Sequence, residues 1–306
     1  MRPTPDPAAD PGVARRSGRR GAPSSVSVVI PTLNGARHLG TQLRALAGQD
    51  FAGPFEVVIA DNGSTDATGA IAAAWKGRLD VRVVDAGAKR SIGYATNAGV
   101  RAATGELIAC TDQDDVVTRG WLTALVRSAR DGDLVGGPNA LDLLNTPRTR
   151  RTRPKTKGPQ PHRFGGFLPA LSTNSFAIWR DVYDVLGGFR DDYGPGSDVE
   201  LCWRAQIAGF SLGYSTDAVV EYRLRTTIRE IVHQRFEYGR ANTQLFNDFH
   251  HLGMPRQVWL GVGSWILVGL RTPSVLLPGW RERWFGDLAL RLGRMRGSVT
   301  YRCIYL

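Results

Sequence analysis

Cysteine is scarce: the chain of 306 residues has three, Cys110, Cys202 and Cys303, an odd number without a CxxC spacing. That argues against a disulfide framework and a cysteine-ligated zinc site, and it fits a reducing, cytoplasmic compartment. Long apolar runs are missing too. Stretches without Asp, Glu, Lys or Arg, such as residues 164–179 and 257–270, fall short of the ~18 residues of a membrane-spanning helix. The five histidines, His38 among them, include no HExxH spacing and read as surface or packing residues. Gly261 and Gly263 follow no strand of a βαβ unit and form no dinucleotide fingerprint. Residues 1–24, rich in proline and arginine, carry no apolar core and read as a disordered tail rather than a signal peptide.

With 42% hydrophobic and 22% charged residues, the composition is that of a globular protein. At roughly 100–200 residues per domain, the length accommodates one large domain or two ordinary ones. The net charge of +11 sits at the margins: residues 1–24 hold five Arg against two Asp, 148–163 hold seven bases and no acid, and 251–306 hold eight Arg against two acids. The remaining body is acidic. Such margins imply contact with diphosphates, polyanions or anionic lipid heads rather than a basic fold.

From Ser25 onward, β-branched apolar runs alternate with segments of helical period. Strands are expected at 26–30, 56–60, 81–84 and 107–111, and helices at 35–48, 66–75, 91–103 and 121–130. Leu39, Leu43 and Leu46 mark the buried face of the first helix, and Ile92, Ala95, Gly99 and Ala102 that of the third. Continuous apolar strands between amphipathic helices mean a doubly wound, mostly parallel α/β sheet covered on both faces. After Gly137 the alternation stops, and 148–163, a run of Pro, Lys, Arg and Thr, predicts a mobile loop. Structure resumes at 171–179, with helices at 181–186 and 199–208, a strand near 210–214 and a long helix over 226–247. Residues 257–270 read as a buried helix or a shallow membrane insert. In the helix that follows, Trp284, Phe285, Leu288, Leu292 and Met295 lie opposite Arg283, Arg291, Arg294 and Arg296. This composition suits an interfacial helix on anionic lipid, or equally a helix docked on the domain.

In an open parallel sheet, ligands bind beyond the carboxyl ends of the strands. There the first strand ends in Pro31-Thr32-Leu33-Asn34, the second in Asp61-Asn62-Gly63-Ser64-Thr65-Asp66 and the fourth in Asp112-Gln113-Asp114-Asp115. The second of these also fits an Asx turn with a helix cap. In the fourth, Asp112 and Asp114 point to one side of an extended segment, where like carboxylates repel unless a cation lies between them. Hard divalent ions such as Mg2+ or Mn2+ take such oxygen ligands and complete their shell with substrate phosphates; an ion so held neutralises charge on a phosphate leaving group. A solvated acidic turn is the plainer alternative. Downstream, Ser197 and Glu200 fit an S-x-x-E capping box. That sets Asp198 in the first turn of a helix, where the dipole lowers its pKa yet leaves it a candidate general base. Glu200 and Arg204, four residues apart, read as a surface ion pair.

The segments VSVVIPTLN (26–34), ADNGSTD (60–66), residues 97–105 before ELIACTDQDD, LGGF (186–189) and SDVELCWRAQIAGF (197–210) together resemble the inverting family 2 glycosyltransferases of the GT-A fold. The resemblance implies a nucleotide-sugar half at 25–137, an acceptor half at 138–225 with a basic loop at 146–163, and a C-terminal helical extension at 226–306. It puts Pro31, Thr32, Asn34, Asp61, Asn62, Asn97, Asp112 and Gln113 at the donor, and Asp114, Asp115 and Glu221 on a Mg2+ or Mn2+ ion. Asn174 and Ser197 would lie near the acceptor, with Asp198 the base of an inverting displacement. Three positions depart from the family pattern. Ser197 stands where members usually have Glu, and Glu221 where many have His. Thr96 precedes Asn97 where many have Arg, which leaves Lys89 or Arg90 to supply that charge. The implied partners are a nucleotide-sugar and a hydroxyl acceptor, either a glycan or a lipid-linked sugar, with peripheral contact to an anionic membrane on its inner face. Nucleic acid is not implied, because no aromatics interleave the basic run. Two other readings fit parts of the sequence. DQDDV also matches the DxDx[TV] turn of a haloacid-dehalogenase-like phosphatase, although that turn should follow the first strand. A catalytically silent module binding nucleotide sugars or glycans would tolerate the changes at 197 and 221.

Overall fold

The computed structural model describes residues 19–152, 160–256 and 258–305; the expectations for the tail at 1–18 and for the loop at 153–159 lie outside them. Apolar runs form β1 (Val26–Thr32), β2 (Phe55–Asp61), β3 (Val81–Asp85) and β4 (Leu107–Cys110), separated by α1 (Leu39–Ala47), α2 (Thr68–Ala73) and α3 (Ile92–Ala102). Helices cover both faces, so β1, β2 and β4 bury nearly every side chain and show no alternation. The chain continues through β5 (Val116–Val117), α4 (Trp121–Ser128), β6 (Leu134–Gly136), β7 (Asn139–Ala140) and α5 (Pro147–Arg150) to β8 (His162–Arg163) and β9 (Pro169–Ala170). Next come β10 (Phe176–Trp179), α6 (Arg180–Leu186), α7 (Ser197–Ile207), β11 (Leu212–Tyr214) and β12 (Val220–Glu221).

The main sheet has seven strands in the order β11-β6-β10-β4-β1-β2-β3. It is mostly parallel, with β10 antiparallel to both β4 and β6. Sequence periodicity missed β6, which at three residues is too short to show one. Pro31 lies within β1 without breaking it. Val29 O accepts from Thr111 N, so odd residues of β1 face β4, and β4 ends at the level of Val29; the N–H that proline lacks falls past that end. A second sheet, β5-β12-β7, pairs Glu221 with Val116 and Val220 with Val117 and Asn139. It ties the segment after Asp115 to the end of the acceptor half.

Four expectations need correction. α3 buries Gly93, Ala95, Thr96, Gly99 and Val100, and leaves Ile92 exposed. The reason is close approach: a Cβ at Gly99 would lie 2.5 Å from Val29 Cγ1, so the small face turns inward. Residues 19–24 are not a loose tail, since Arg20 pairs with Asp133 and Asp181 over the Trp179 ring, and Ser24 binds Glu106. Around the loop, Thr146 caps α5 and Arg148 reaches Glu282 at 2.7 Å, while β8 pairs with β9. Finally, α8 (Ile228–Phe249), α9 (Val258–Leu270) and α10 (Trp280–Thr300) form the C-terminal region. There α10 docks on α8 through Gly286, Ala289, Gly293 and Gly297, not through the expected large apolar stripe.

Gly137 sets the junction between the two sheets, because a Cβ there would lie 2.0 Å from Ala218 O. We expect Gly137→Ala to destabilise the fold by ~1–3 kcal/mol through overpacking, read as a lower urea midpoint at unchanged slope. An unchanged midpoint would mean that the backbone yields there at no cost.

Candidate active site

Backbone pairing brings three polar turns together, because β4, β1 and β2 are neighbours and Thr32 pairs with Asp61. Hydrogen bonds then fasten the β1 turn to both flanks. Asn34, left-handed at φ 50°, donates its N–H to Ser64 Oγ (2.9 Å), and its side-chain Oδ1 accepts from Thr65 N (2.9 Å). On the other flank Gln113 clasps the Leu33 backbone from both directions, at 2.9 and 3.0 Å. Asp61 accepts from Ser64 N at 2.8 Å, an Asx turn that rigidifies the loop.

The fourth turn and α7 supply the carboxylates. Asp114 Oδ2 accepts from Arg225 Nη1 at 2.8 Å, and Asp114 O from Arg223 Nε at 2.8 Å. Asp115 is 2% exposed; its Oδ1 accepts from Arg223 N and its Oδ2 from Asn174 Nδ2, both at 2.8 Å. Asp112 and Asp198 are half-buried. The Asp112 carboxyl titrates well above the ordinary range, first because burial strips its hydration and then because Asp115, Asp114 and Asp198 all repel its charge, with Arg225 opposing. Four carboxylates from two halves of the chain thus share one low-dielectric pocket.

The local start of α7 differs from expectation. Gly196, left-handed at φ 99°, takes the N-cap, so Ser197 is the first helical residue, buried and without a capping bond. No capping box forms. Glu200, itself buried, turns instead to the half-buried Arg204 at 2.8 Å, with Arg204 also donating to the carbonyls of Leu186 and Gly188. Asp198 accepts from Val199 N at 2.9 Å, and the amides of Thr173 and of Asp198 itself also favour its charged form, yet burial outweighs them and raises its pKa rather than lowering it. A raised pKa makes the carboxylate a stronger base.

Other candidates are committed to the protein frame. Thr32 is buried and donates to Ile30 O; Asn62 donates to the carbonyls of Ala86 and Lys89; Asn97 grips the Phe189 backbone through N–H and C=O. Asn174, also buried, stands behind Asp115, and its Oδ1 has no hydrogen-bond partner among the described residues. Lys89 pairs with Asp191 at 3.0 Å, and Arg90 is exposed. Glu221 accepts from Leu143 N at 3.1 Å. Among the described residues, no group of three His, Cys, Asp or Glu is arranged to hold a metal ion. Three neighbours were missed by sequence reasoning: Arg223, Arg225 and His38. His38 feels Asp114, Arg223, Arg37 and Arg225, and burial lowers its pKa. The arginines carried a legible signal, for Arg223-Leu224-Arg225 follows β12 with only Leu224 buried, so alternation puts both cations on one side.

A sequence profile described as Glycosyl transferase family 2 matches residues 27–186, more than half of the chain. The chain belongs to glycosyl transferase family 2. Pre-mycofactocin glycosyltransferase of Mycobacterium tuberculosis (strain ATCC 25618 / H37Rv) is 29% identical over 270 residues, covering 81% of this chain and 53% of that protein. The chain thus spans about half the length of that relative. Glycosyltransferase AglE of Haloferax volcanii is 27% identical over 248 residues, 80% of each chain. Among solved structures, mannosyltransferase PcManGT from Pyrobaculum calidifontis, in complex with GDP-Man and Mn2+, is similar with a TM-score of 0.64 at 20% identity, over 96% of this chain and 89% of that one. S. aureus TarS 1-349 in complex with UDP-GlcNAc has a TM-score of 0.53 at 16% identity, over 92% and 93% of the two chains. At such identities the likeness shows the shared GT-A fold.

Within this family 2 site, burial raises the Asp115 pKa to about 6, against ~3.9 for an ordinary aspartate. The folded state then binds more protons than the unfolded state between those values, so its stability falls as pH rises through that window. We expect wild type, in chelator, to lose on the order of 2 kcal/mol relative to Asp115→Asn across it. Urea midpoints of both proteins over a pH series measure this, and a constant offset throughout would show that Asp115 titrates normally.

Proposed function

We propose that this glycosyltransferase is inverting and divalent-metal-dependent, moving a sugar from a nucleoside diphosphate-sugar to a hydroxyl of a glycan or lipid-linked acceptor. Its setting would be cell-envelope, polysaccharide or glycolipid synthesis at an anionic membrane face. The observation that carries the reading is the repulsion that Asp112 feels from Asp114, Asp115 and Asp198 together. That crowd joins the strand-end acids of one half to a helix-borne carboxylate of the other. The donor complexes printed for PcManGT and TarS, with GDP-Man and Mn2+ and with UDP-GlcNAc, support the choice of donor class.

Asp112 and Asp114 offer oxygen donors of the kind Mg2+ or Mn2+ takes, short of a three-group cluster among the described residues, so substrate phosphates would have to complete the shell. Asp114 is the ligand we assign, with Asp112 beside it; Asp115 and Asn174 brace the turn, because their polar atoms serve Arg223 N and each other. When bound, such an ion neutralises charge on the departing diphosphate. Glu221, one strand pairing away at Val116, is a further oxygen near the turn.

Asp198 accepts the acceptor hydroxyl proton as that oxygen attacks the anomeric carbon. The bond from this carbon to the diphosphate oxygen breaks on the opposite side, the nucleoside diphosphate leaves with the bonding pair, and the configuration inverts. The Val199 and Thr173 N–H groups fix the Asp198 carboxylate while burial keeps it basic. Arg223 and Arg225 stand where a diphosphate would need positive charge. The family assignment weighs against the phosphatase, as does the DQDDV turn, which follows β4 rather than β1; turnover of a nucleotide sugar is what separates a transferase from a silent binding module.

Incubation with a panel of nucleotide sugars and Mn2+ should release nucleoside diphosphate. We expect Asp198→Asn to lower turnover by ~10²–10⁴-fold, the usual worth of a general base, with donor KM little changed. The acid limb of the wild-type pH profile should lie above that of an ordinary carboxylate. Equal turnover in the variant would remove Asp198 from the chemistry. For Asp114→Ala, stimulation by Mn2+ should disappear, and full stimulation would reassign the metal ligand.

A further inference from the structure

Residues 249–281 contain no acid, and their formal charges are Arg256, Arg271 and Arg281. Within that stretch, α9 and the single helical turn Thr272–Leu276 leave Ile266, Leu267, Leu270, Leu276, Leu277 and Trp280 exposed, Leu270 by 72% and Leu276 by 86%. Soluble surfaces scatter large apolar side chains singly, whereas a run of six on one corner marks an interaction surface. The nearest acids turn inward. Glu282 is 5% exposed and serves Arg148, Gly279 N and, at 3.6 Å, Arg281, while Asp287 lies between Arg271 at 3.8 Å and Arg283. Arg271 and Arg281 are long-range partners of these inward acids and keep about half of their side chains exposed, so they supply the outward charge of this corner.

The neighbouring seam is sorted the same way. α10 meets α8 through glycine backbones, where a Cβ at Gly293 would lie 2.0 Å from Phe236 O and one at Gly239 2.1 Å from Leu290 O. Its large residues Leu292, Met295 and Val299 point outward. Small residues inside and large apolar ones outside is the arrangement of helices packed in lipid. No helix among the described residues is long and apolar enough to cross a membrane, so any lipid contact here is shallow. A second copy is a poorer occupant, since a two-fold contact would set Arg271 and Arg281 against the same cations.

We propose that α9 and the turn after it form the surface by which this enzyme docks on an anionic lipid bilayer, the apolar side chains entering the headgroup boundary and the two arginines meeting lipid phosphates. This deepens the membrane-facing part of the function proposed above and rests on it only for the purpose of docking. The site and the surface are mechanically joined, because Arg223 and Arg225 run directly into α8 at its Thr227–Glu230 capping box.

The test is sedimentation of the full chain with vesicles of phosphatidylglycerol and phosphatidylcholine, or of phosphatidylcholine alone. Wild type should pellet with the anionic vesicles and partition roughly ten-fold more weakly onto phosphatidylcholine or at high salt. The triple variant Leu270→Glu, Leu276→Glu, Leu277→Glu should lose at least roughly ten-fold in partition, with unchanged melting temperature and nucleoside diphosphate release. Arg271→Gln with Arg281→Gln should lose the preference for anionic lipid. Equal pelleting of the triple variant and wild type would overturn the proposal, as would wild type that never pellets. So would a dimer, seen by light scattering, that the triple variant dissolves. Failure of the transfer reading looks different: no diphosphate release by either protein while vesicle binding persists.

Discussion

Asp112 is desolvated by burial and repelled by Asp115, Asp114 and Asp198. A pair of unit charges 4 Å apart interacts by ~4 kcal/mol at an effective dielectric constant near 20, so such a crowd persists only where the surrounding fold forces it. The forcing groups are identifiable. Strand pairing fixes Thr32 beside Asp61, Gln113 clasps Leu33, and Arg223 N with Asn174 Nδ2 hold the Asp115 carboxylate from two sides. Arg225 on Asp114 is the side-chain cation paired with the crowd. The fold thus holds a local excess of negative charge in place, and what the site lacks in its resting form is positive charge from outside.

This constraint explains why the second half of the chain takes the shape it does. Asp198 reaches the pocket only because α7 starts at a left-handed glycine and the Thr173–Ser175 turn presents an N–H to its carboxylate. β10 runs antiparallel between β4 and β6, which returns the chain to the β4 edge. The small sheet through Gly137 then delivers Arg223 and Arg225 beside Asp114 and Asp115. The β10 and small-sheet placements depend on backbone contacts at Gly136 and Gly137 too close for a larger residue, and the start of α7 depends on the positive φ of Gly196.

Legibility in the sequence follows from that difference. The parallel half was readable because long apolar runs and helical periods encode burial directly, and the polar strand ends followed from the topology. Individual roles were less so. Asn97, Asn62 and Gln113 are polar residues at a ligand-binding edge, and nothing in their spacing tells a side chain that grips backbone from one that grips a ligand. At Ser197 and Glu200 the capping pattern was present, but Gly196 could adopt φ 99° and took the cap, freeing Glu200 for Arg204. The direction of the Asp198 shift failed for a related reason, since position on a helix is a property of sequence while burial by the folded chain is not. For α10, large apolar residues suggested the docked face, and only the steric match of glycines on two helices shows why the small face won.

If the donor is the nucleoside diphosphate-sugar proposed above, the arrangement of charge bears on how its diphosphate would enter. The pocket floor is acidic, at Asp112, Asp114 and Asp198, while Arg37, Arg223 and Arg225 gather around His38 at the margin. A diphosphate approaching the bare floor is repelled by the carboxylates, and one held by the arginines alone stops short of Asp198. Productive binding therefore requires that the floor be neutralised as the diphosphate arrives. Arg225 holds Asp114 through Nη1 alone, so its other N–H groups are available to a second anion. On the proposed transfer, the ion pair at Asp114 is then the resting state of a cation that the leaving group would share.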